Sequence, residues 1–445
     1  MKRLFLLPMF ALLCSVSIVA EDHVMEATKG AEQREVPSSL TLSLEEAQDY
    51  AVKANRSLRN ANLAVQQAYA QRWQTIAAML PQVDASWGYN SMCGYQMEMD
   101  LGGAKTKIDM PNYSTLAITA SVGINGQAVV GAILNNIAIE MQQISLEQSE
   151  DNLRANVKTS YASVLVMQDV IALLDSSLQN VEKLAEMTQR SVDVGAAEQT
   201  SADQIVVRVN TLKNNINSNK RSMQLALNSL KVLLDVPVET ELTLSTTLDN
   251  MLSAEAVLNL LGEEFNINNN LSYKTLQKNV DLAKTNVHLA AWAYGPTIGV
   301  GYQYSNQEYY GSGGFRMTPP HAISVTVSMP LWSSGKRAAT MVDKKIALEE
   351  ARNTLAETTD NLGIQDQQLR YNLQNAFETY LTEKENMDVT QRVFQSTTNK
   401  YNYGATSNLE LVNASNDVIT AQSSYVQAVL TLVNAEVELD KFLNN

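Results

Sequence analysis

From Ala132 to Val194 the chain runs for 63 residues without a glycine or a proline. The two residues that most readily interrupt a helix are missing, so the span can hold a single unbroken one. At ~1.5 Å per residue such a helix would reach about 95 Å, far more than a globular core requires. The nine prolines are Pro8, Pro37, Pro81, Pro111, Pro237, Pro296, Pro319, Pro320 and Pro330, and they leave 112–236 and 331–445 free. Long helices are predicted in those two spans.

Their apolar residues form seams. Leu153, Val157, Ser160, Val164, Met167, Ile171, Leu174, Leu178, Val181, Ala185, Thr188 and Val192 alternate four and three apart. The last helix repeats the device with Val418, Ala421, Tyr425, Ala428, Leu432, Ala435, Leu439 and Phe442. Seams of this period mean helices lying along helices, as in a coiled coil.

Four other segments change period to two. Val83, Ala85, Trp87, Tyr89, Ser91, Cys93, Tyr95, Met97 and Met99 alternate with Gln82, Asp84, Ser86, Asn90, Gln96, Glu98 and Asp100, with Met92 the exception, which predicts a strand over 82–100. The others are predicted over 114–125 (Leu116, Ile118, Val122, Ile124), 297–306 (Ile298, Val300, Tyr302, Tyr304) and 321–331 (Ile323, Val325, Val327, Met329). Gly-containing polar loops join 82–100 to 114–125 and 297–306 to 321–331, giving two hairpins.

Each hairpin follows one helix and precedes a much longer one, so the chain reads as an internal duplication. The first repeat is expected over 40–235 and the second over 263–445, with a connector at 236–262 and an acidic leader at 21–39. Ser43 and Glu46 have the spacing of a capping box at the first helix.

Lys2 and Arg3 before an apolar run from Leu4 to Val19, ending at Ala20, read as an export signal over 1–20. The chain is acidic, with a formal net charge of −14, and its charges are mixed along the sequence, so nucleic acid is not an expected partner. Leu13 precedes Cys14 where a lipoprotein signal needs a small residue. Cys93 is then the one cysteine of the exported chain, and no internal disulfide can form.

No stretch after the signal is an unbroken apolar run of helical membrane length, which leaves a closed β-barrel as the expected way across a membrane. Aromatic residues at strand ends (Trp87, Tyr89, Tyr304, Trp332) resemble interfacial girdles. On this reading Val325, Val327, Ile298 and Val300 face lipid. Closed membrane barrels begin at about eight strands, so a chain with four must assemble with copies of itself. Two copies give eight strands and a nearly filled interior; three give twelve and a lumen. The expected fold is therefore mainly α with a membrane β-barrel, twelve-stranded in a homotrimer, on a helical coiled-coil tunnel.

In this order, several local marks resemble the TolC-type outer membrane efflux proteins. They are Asn55-Arg-Ser-Leu58, Leu80-Pro81-Gln82, Val192-Asp-Val-Gly195, Pro330-Leu-Trp-Ser-Ser-Gly335, and Tyr401-Asn-Tyr-Gly404 followed by Leu409, Leu411 and Ala414. The resemblance runs from Leu42 to Leu443. It implies a homotrimeric duct in the outer membrane with a tunnel through the periplasm, docking on a periplasmic adaptor and an inner-membrane transporter. Gly195 and Gly404 would mark the adaptor-binding tip, though glycine also ends many helices. Tyr401 keeps the family's gate tyrosine and Glu410 an acidic ring position. Thr406 and Asn413 replace charged residues, and Ser201 stands where the family carries Asp, which implies a softer gate. In the first repeat Ile124-Asn-Gly126 stands where the second has Pro330-Leu-Trp332, so the strand-to-helix joints are expected to differ.

Enzyme chemistry finds little support. His23, His288 and His321 are far apart, and neither a metal-spaced cluster nor a phosphate-binding glycine loop appears, so no cofactor is expected. The remaining alternative is a non-conducting envelope-spanning scaffold or adhesin. Polar strand faces argue against it, because a scaffold gains nothing from a wet lumen.

Overall fold

The computed structural model of the protein describes residues 38–101, 104–195, 197–311 and 319–443. The export segment and the leader up to residue 37 lie outside the described residues. The chain divides into two compact units, one of 1–63, 144–274 and 357–445 and one of 64–143 and 275–356. Each unit thus draws on both halves of the sequence.

In chain order the elements are β1 (Ser39–Leu42), α1 (Leu44–Ala54), α2 (Arg56–Ala77), β2 (Gln82–Asn90), β3 (Gln96–Leu101), β4 (Ala104–Asp109), β5 (Asn112–Asn125), α3 (Gly126–Asp193) and α4 (Gln199–Leu233). Then come β6 (Glu241–Leu244), α5 (Leu248–Met251), α6 (Ala254–Gly262), α7 (Leu271–Trp292), β7 (Thr297–Tyr310), β8 (His321–Ser328), α8 (Lys336–Asn402) and α9 (Asn408–Leu443). Helices recur in matched lengths: α2 and α7 have 22 residues each, α3 and α8 have 68 and 67, α4 and α9 have 35 and 36.

The first unit is helical. The residues of α3 beyond 143 and of α8 beyond 356 share one apolar core with α1, α4 and α9. The α3 seam is buried at Leu153, Val157, Val164, Ile171, Leu174, Val181 and Thr188. Elsewhere it departs from strict heptads. Tyr161 is buried with Ala162, Val164, Leu165 and Val166, because the helix is covered on more than one side there, and Ser177 and Leu184 are buried beside Leu178 and Ala185. One stretch of α3 is apolar enough on average to cross a membrane, though not an unbroken apolar run, and half of it is buried inside the protein, as a core helix requires.

The span 236–262, expected as a plain connector, carries β6, α5 and α6. β6 pairs in parallel with β1, Leu42 against Leu244. Tyr161 closes this corner: its hydroxyl donates to the Leu42 carbonyl at 3.0 Å and accepts from Thr246 N at 3.1 Å. Two of the sequence marks serve as local ties. Asn55 Oδ1 accepts from Ser57 N and Leu58 N at the start of α2, and Asn55 Nδ2 donates to the Leu233 carbonyl at the end of α4. The Ser43–Glu46 capping box is formed in both directions.

The second unit carries an antiparallel sheet of order β2-β5-β7-β8. The predicted strand 82–100 is broken: β2 ends at Asn90, a turn follows, and β3 pairs with β4 in a ribbon of its own instead of with β5. β7 runs four residues beyond its expected end to Tyr310, and β8 stops at Ser328 rather than 331. Gln82 Nε2 donates to the carbonyls of Ala77 and Leu80, tying off α2 as the strand begins.

The strand-to-helix joints differ, as expected. β5 passes straight into α3, where Asn125 Oδ1 accepts from Ala128 N at 2.7 Å and a Cβ on Gly126 would lie 2.1 Å from the Trp292 ring. Between β8 and α8 a loop intervenes with Ser334 and Gly335 at positive φ. Arg337 holds it by donating to the Pro330 carbonyl and Ser333 Oγ while stacking over Tyr294.

Candidate functional site

Two regions hold the residues that sequence singled out. The first is the four-stranded sheet. Register puts Val83, Ala120, Tyr302 and Ile323 in one cross-strand row, and Ile124, Ile298 and Val327 in another. Between them lies Val122 with Val300 and Val325. Cross-strand neighbours share a face, so one side of the sheet is a continuous apolar surface. It is open: Ile323 is 78% exposed, Val325 67% and Val327 66%.

Toward the strand ends remote from α2 the same face turns aromatic and polar, with Trp87, Tyr89, Tyr310, Asn306 and Glu308. Tyr310 OH lies 3.0 Å from Ser114 Oγ, and Tyr302 OH 2.9 Å from His321 Nδ1. The opposite face carries Gln82, Asp84, Ser86, Thr115, Thr119, Gln303, Ser305, Ser324 and Thr326. Asp84 is the only charged side chain on it within the paired registers. Both outer strands are unpaired along one edge among the described residues, β2 bonding to β5 alone and β8 to β7 alone.

The second region is the pair of helix turns. Gly195 (φ 76°) and Gly404 (φ 69°) end α3 and α8 in the left-handed region, each N–H turning back to a carbonyl three residues earlier, Val192 and Tyr401. Open space surrounds both. The conformation by itself accounts for glycine here, because a side chain would strain it. The same openness leaves the backbone bare.

Tyr401 is half-buried in the last turns of α8 and packs on the helical core. Glu410 is exposed in the first turn of α9; its carboxylate accepts from Thr406 Oγ1, and its N–H donates to Ser407 Oγ. Asn413 is exposed and Ser201 half-buried, its N–H donating to the Glu198 carbonyl. No hydrogen bond among the described residues joins Tyr401, Glu410 and Ser201.

Sequence reasoning missed Arg208. It lies on α4, 9% exposed, and reaches α9 with three bonds: Nε to Ser415 Oγ at 2.8 Å, Nη2 to the Ser415 carbonyl at 2.7 Å and Nη1 to Asn416 Oδ1 at 2.8 Å. Burial lowers its pKa from the ordinary arginine value. This fork ties the two helical hairpins together with neutral acceptors, and no pattern of spacing announces it. A second missed tie is the ion pair of Lys158 on α3 with Glu436 on α9, 2.9 Å apart and mostly buried.

Comparison with known proteins agrees with this architecture. The chain is 22% identical over 298 residues to toxin and drug export protein A of Aggregatibacter actinomycetemcomitans, covering 65% of this chain. It spans 63% of that curated relative's length, under two thirds. Among solved structures it resembles the CusC channel, with a TM-score of 0.72 at 15% identity over 94% of this chain and 96% of that one. It also resembles a membrane protein from Pseudomonas aeruginosa, with a TM-score of 0.72 at 15% identity over 90% and 92%. The outer membrane efflux protein family matches residues 49–235 and 266–445, which take in the sheet and both helix turns, and the chain belongs to that family of outer membrane channels.

Proposed function

We propose that three copies of this chain join their sheets edge to edge into a twelve-stranded outer membrane barrel, continued by a helical duct through the periplasm. Export of substrates to the exterior follows from that assembly. The observation that carries this is the sheet itself. Four antiparallel strands with a bare apolar face, a polar face and two free edges are unstable alone, and closure both pairs the edges and wets only the polar face. Twelve strands leave room for water where eight would not.

In this reading Val325, Val327, Ile298 and Val300 contact lipid. The turns at Gly195 and Gly404 form the tip that docks a periplasmic adaptor, which in turn meets an inner-membrane transporter in a tripartite efflux or secretion system. The export role named for the Aggregatibacter relative supports the direction of transport. Near the tip, Tyr401, Thr406, Glu410, Asn413 and Ser201 of three copies would surround one axis and form the gate. Fractionation should find the protein in the outer membrane, and mild detergent should release a trimer that conducts in planar bilayers. A monomer without conductance would end this reading.

A further inference from the structure

Beyond Asn90 the ladder of the first hairpin is interrupted. Met92 to Tyr95 form a tight turn in which Cys93 (φ 49°) and Gly94 (φ 74°) are both left-handed and Tyr95 N donates to the Met92 carbonyl at 2.9 Å, as in a type I′ turn. Asn112 Oδ1 clamps it, accepting from Met92 N at 2.7 Å and from Ser91 Oγ at 3.2 Å. The ladder then resumes, Met110 N donating to the Tyr95 carbonyl at 3.0 Å, and continues as the β3–β4 ribbon.

The ribbon is divided by face. Tyr95, Met97 and Met99 share one side with Ile108 and Met110, while Gln96, Glu98 and Asp100 share the other with Lys107 and Asp109. The polar side is tied within itself, Gln96 Nε2 to Asp109 Oδ1 at 2.7 Å and Lys107 to Glu98 at 3.5 Å. The apolar side is open, with Tyr95 62% and Met99 37% exposed. A two-stranded ribbon is marginal in water, so this face needs a cover.

The phase of the alternation names the cover. On the first leg odd-numbered residues are apolar in β2 and again from Tyr95 onward; on the second, even-numbered ones are apolar at Ile108 and Met110 and again through Leu116, Ile118 and Val122. Between the last sheet pair, Asn90 with Tyr113, and the first ribbon pair, Tyr95 with Met110, lie four residues on one leg and two on the other. No residue between Met110 and Tyr113 is left-handed, so along the second leg the ribbon's apolar set continues the sheet's. It begins after the nine residues of β2, about the ~9–11 that a tilted strand needs to cross the hydrocarbon layer. On the barrel reading the hydrocarbon layer has been crossed by the point where the ribbon starts, so a ribbon folded over at that point lies along the outer leaflet.

We infer that the β3–β4 ribbon is a membrane-surface element, bent at Cys93-Gly94 so that Tyr95, Met97, Met99, Ile108 and Met110 sit in the acyl layer of the outer leaflet. Gln96, Glu98, Lys107 and Asp109 face water. The inference rests on the barrel reading, and its test separates the two. In full-length trimer carrying Cys93→Asn, nitroxide labels are placed singly through Met99→Cys, Lys107→Cys, Val325→Cys and Thr326→Cys. The protein is reconstituted into vesicles of phosphatidylethanolamine and phosphatidylglycerol. Collision with oxygen, which partitions into lipid, is compared with collision with a water-soluble nickel chelate. The Met99 label should match the Val325 label, with an oxygen-to-nickel ratio several-fold above that of the Lys107 label. Equal ratios at Met99 and Lys107 overturn the inference while a lipid-exposed Val325 label leaves the barrel standing. Labels at Met99 shielded from both reagents and close to one another across subunits overturn it in favour of a second copy as the cover. A nickel-accessible Val325 label removes the barrel and the ribbon's seat together.

Discussion

Asp151 on α3 is held in an unfavourable place: burial raises its pKa, the neighbouring Glu147 and Glu150 add to the rise, and Arg154 and Lys441 only partly oppose it. The folded state therefore binds a proton here more tightly than the unfolded chain does. Stability falls as pH rises from the ordinary carboxylate range through the raised value, and the penalty is complete above it. Asp151→Asn is expected to raise the thermal midpoint at neutral pH and to leave it unchanged in acid, as calorimetry across pH will check. Glu46 has the opposite sign. Its hydrogen bonds with the Ser43 backbone and side chain lower its pKa, so its contribution is present above the ordinary carboxylate value and is lost as pH falls through the lowered one. Arg208 offers a test of the hairpin tie: Arg208→Met is expected to cost about 1.5–3 kcal/mol, the worth of hydrogen bonds to a charged group, read as faster amide exchange in α4 and α9. Legibility at this scale follows sequence distance. The Ser43–Glu46 box could be read because its partners are three residues apart, whereas Arg208 meets Ser415 across 207 residues, and no local pattern carries that.

At the scale of elements the sheet was legible in phase and not in extent. Alternation depends only on which side each residue faces, so it identified the apolar side of each strand; Ser91 and Met92 break it just ahead of the turn, but it resumes in phase at Tyr95, and the turn was therefore read as part of one strand. Two left-handed residues, one of them a cysteine, interrupt the strand there and leave the odd-even count unchanged. The long helices were legible because long spans without proline are local facts; the burial of more than one side of α3 near Tyr161 was not, because it depends on what packs from elsewhere. The face assignment gives a direct contrast. Val325→Arg and Val327→Arg are each expected to impair insertion, since a midplane charge on the lipid face costs ~2–4 kcal/mol, while Thr326→Arg on the opposite face is tolerated. Yield of heat-modifiable trimer from outer membranes measures it, and equal losses on both faces would reverse the phase. Gly126 supplies a second contrast. A methyl group there meets the Trp292 ring at 2.1 Å, so Gly126→Ala should lower trimer yield and Trp292→Ala should restore it in the double variant.

For the whole molecule the question is what three copies do that one chain does not. Within one chain, Thr406 holds the Glu410 carboxylate at the first turn of α9 by a local bond that needs no gate to explain it. Facing exposed on that helix, three such carboxylates around a narrow axis would raise the local concentration of cations and be only partly screened by salt. Asp84 would form a second ring within the barrel, being the one charge on the polar sheet face within the paired registers of the described residues. The two rings make separable predictions in single-channel recordings of the reconstituted trimer. Glu410→Ala should weaken both cation selectivity and block by polyvalent cations, because a ring at the constriction controls entry. Asp84→Asn should reduce selectivity modestly and leave the block intact, because a twelve-stranded lumen is wide. Tyr401→Ala should raise resting conductance, since it removes the side chain that packs the last turns of α8 against the core. Glu438→Ala is the control: Glu438 is an exposed residue further along α9, lining a cleft beside α8. If Glu410→Ala and Glu438→Ala prove alike in selectivity and block, Glu410 is a capped residue of a solvated helix end, and the acidic ring at the tip must be abandoned even if the barrel and the trimer stand.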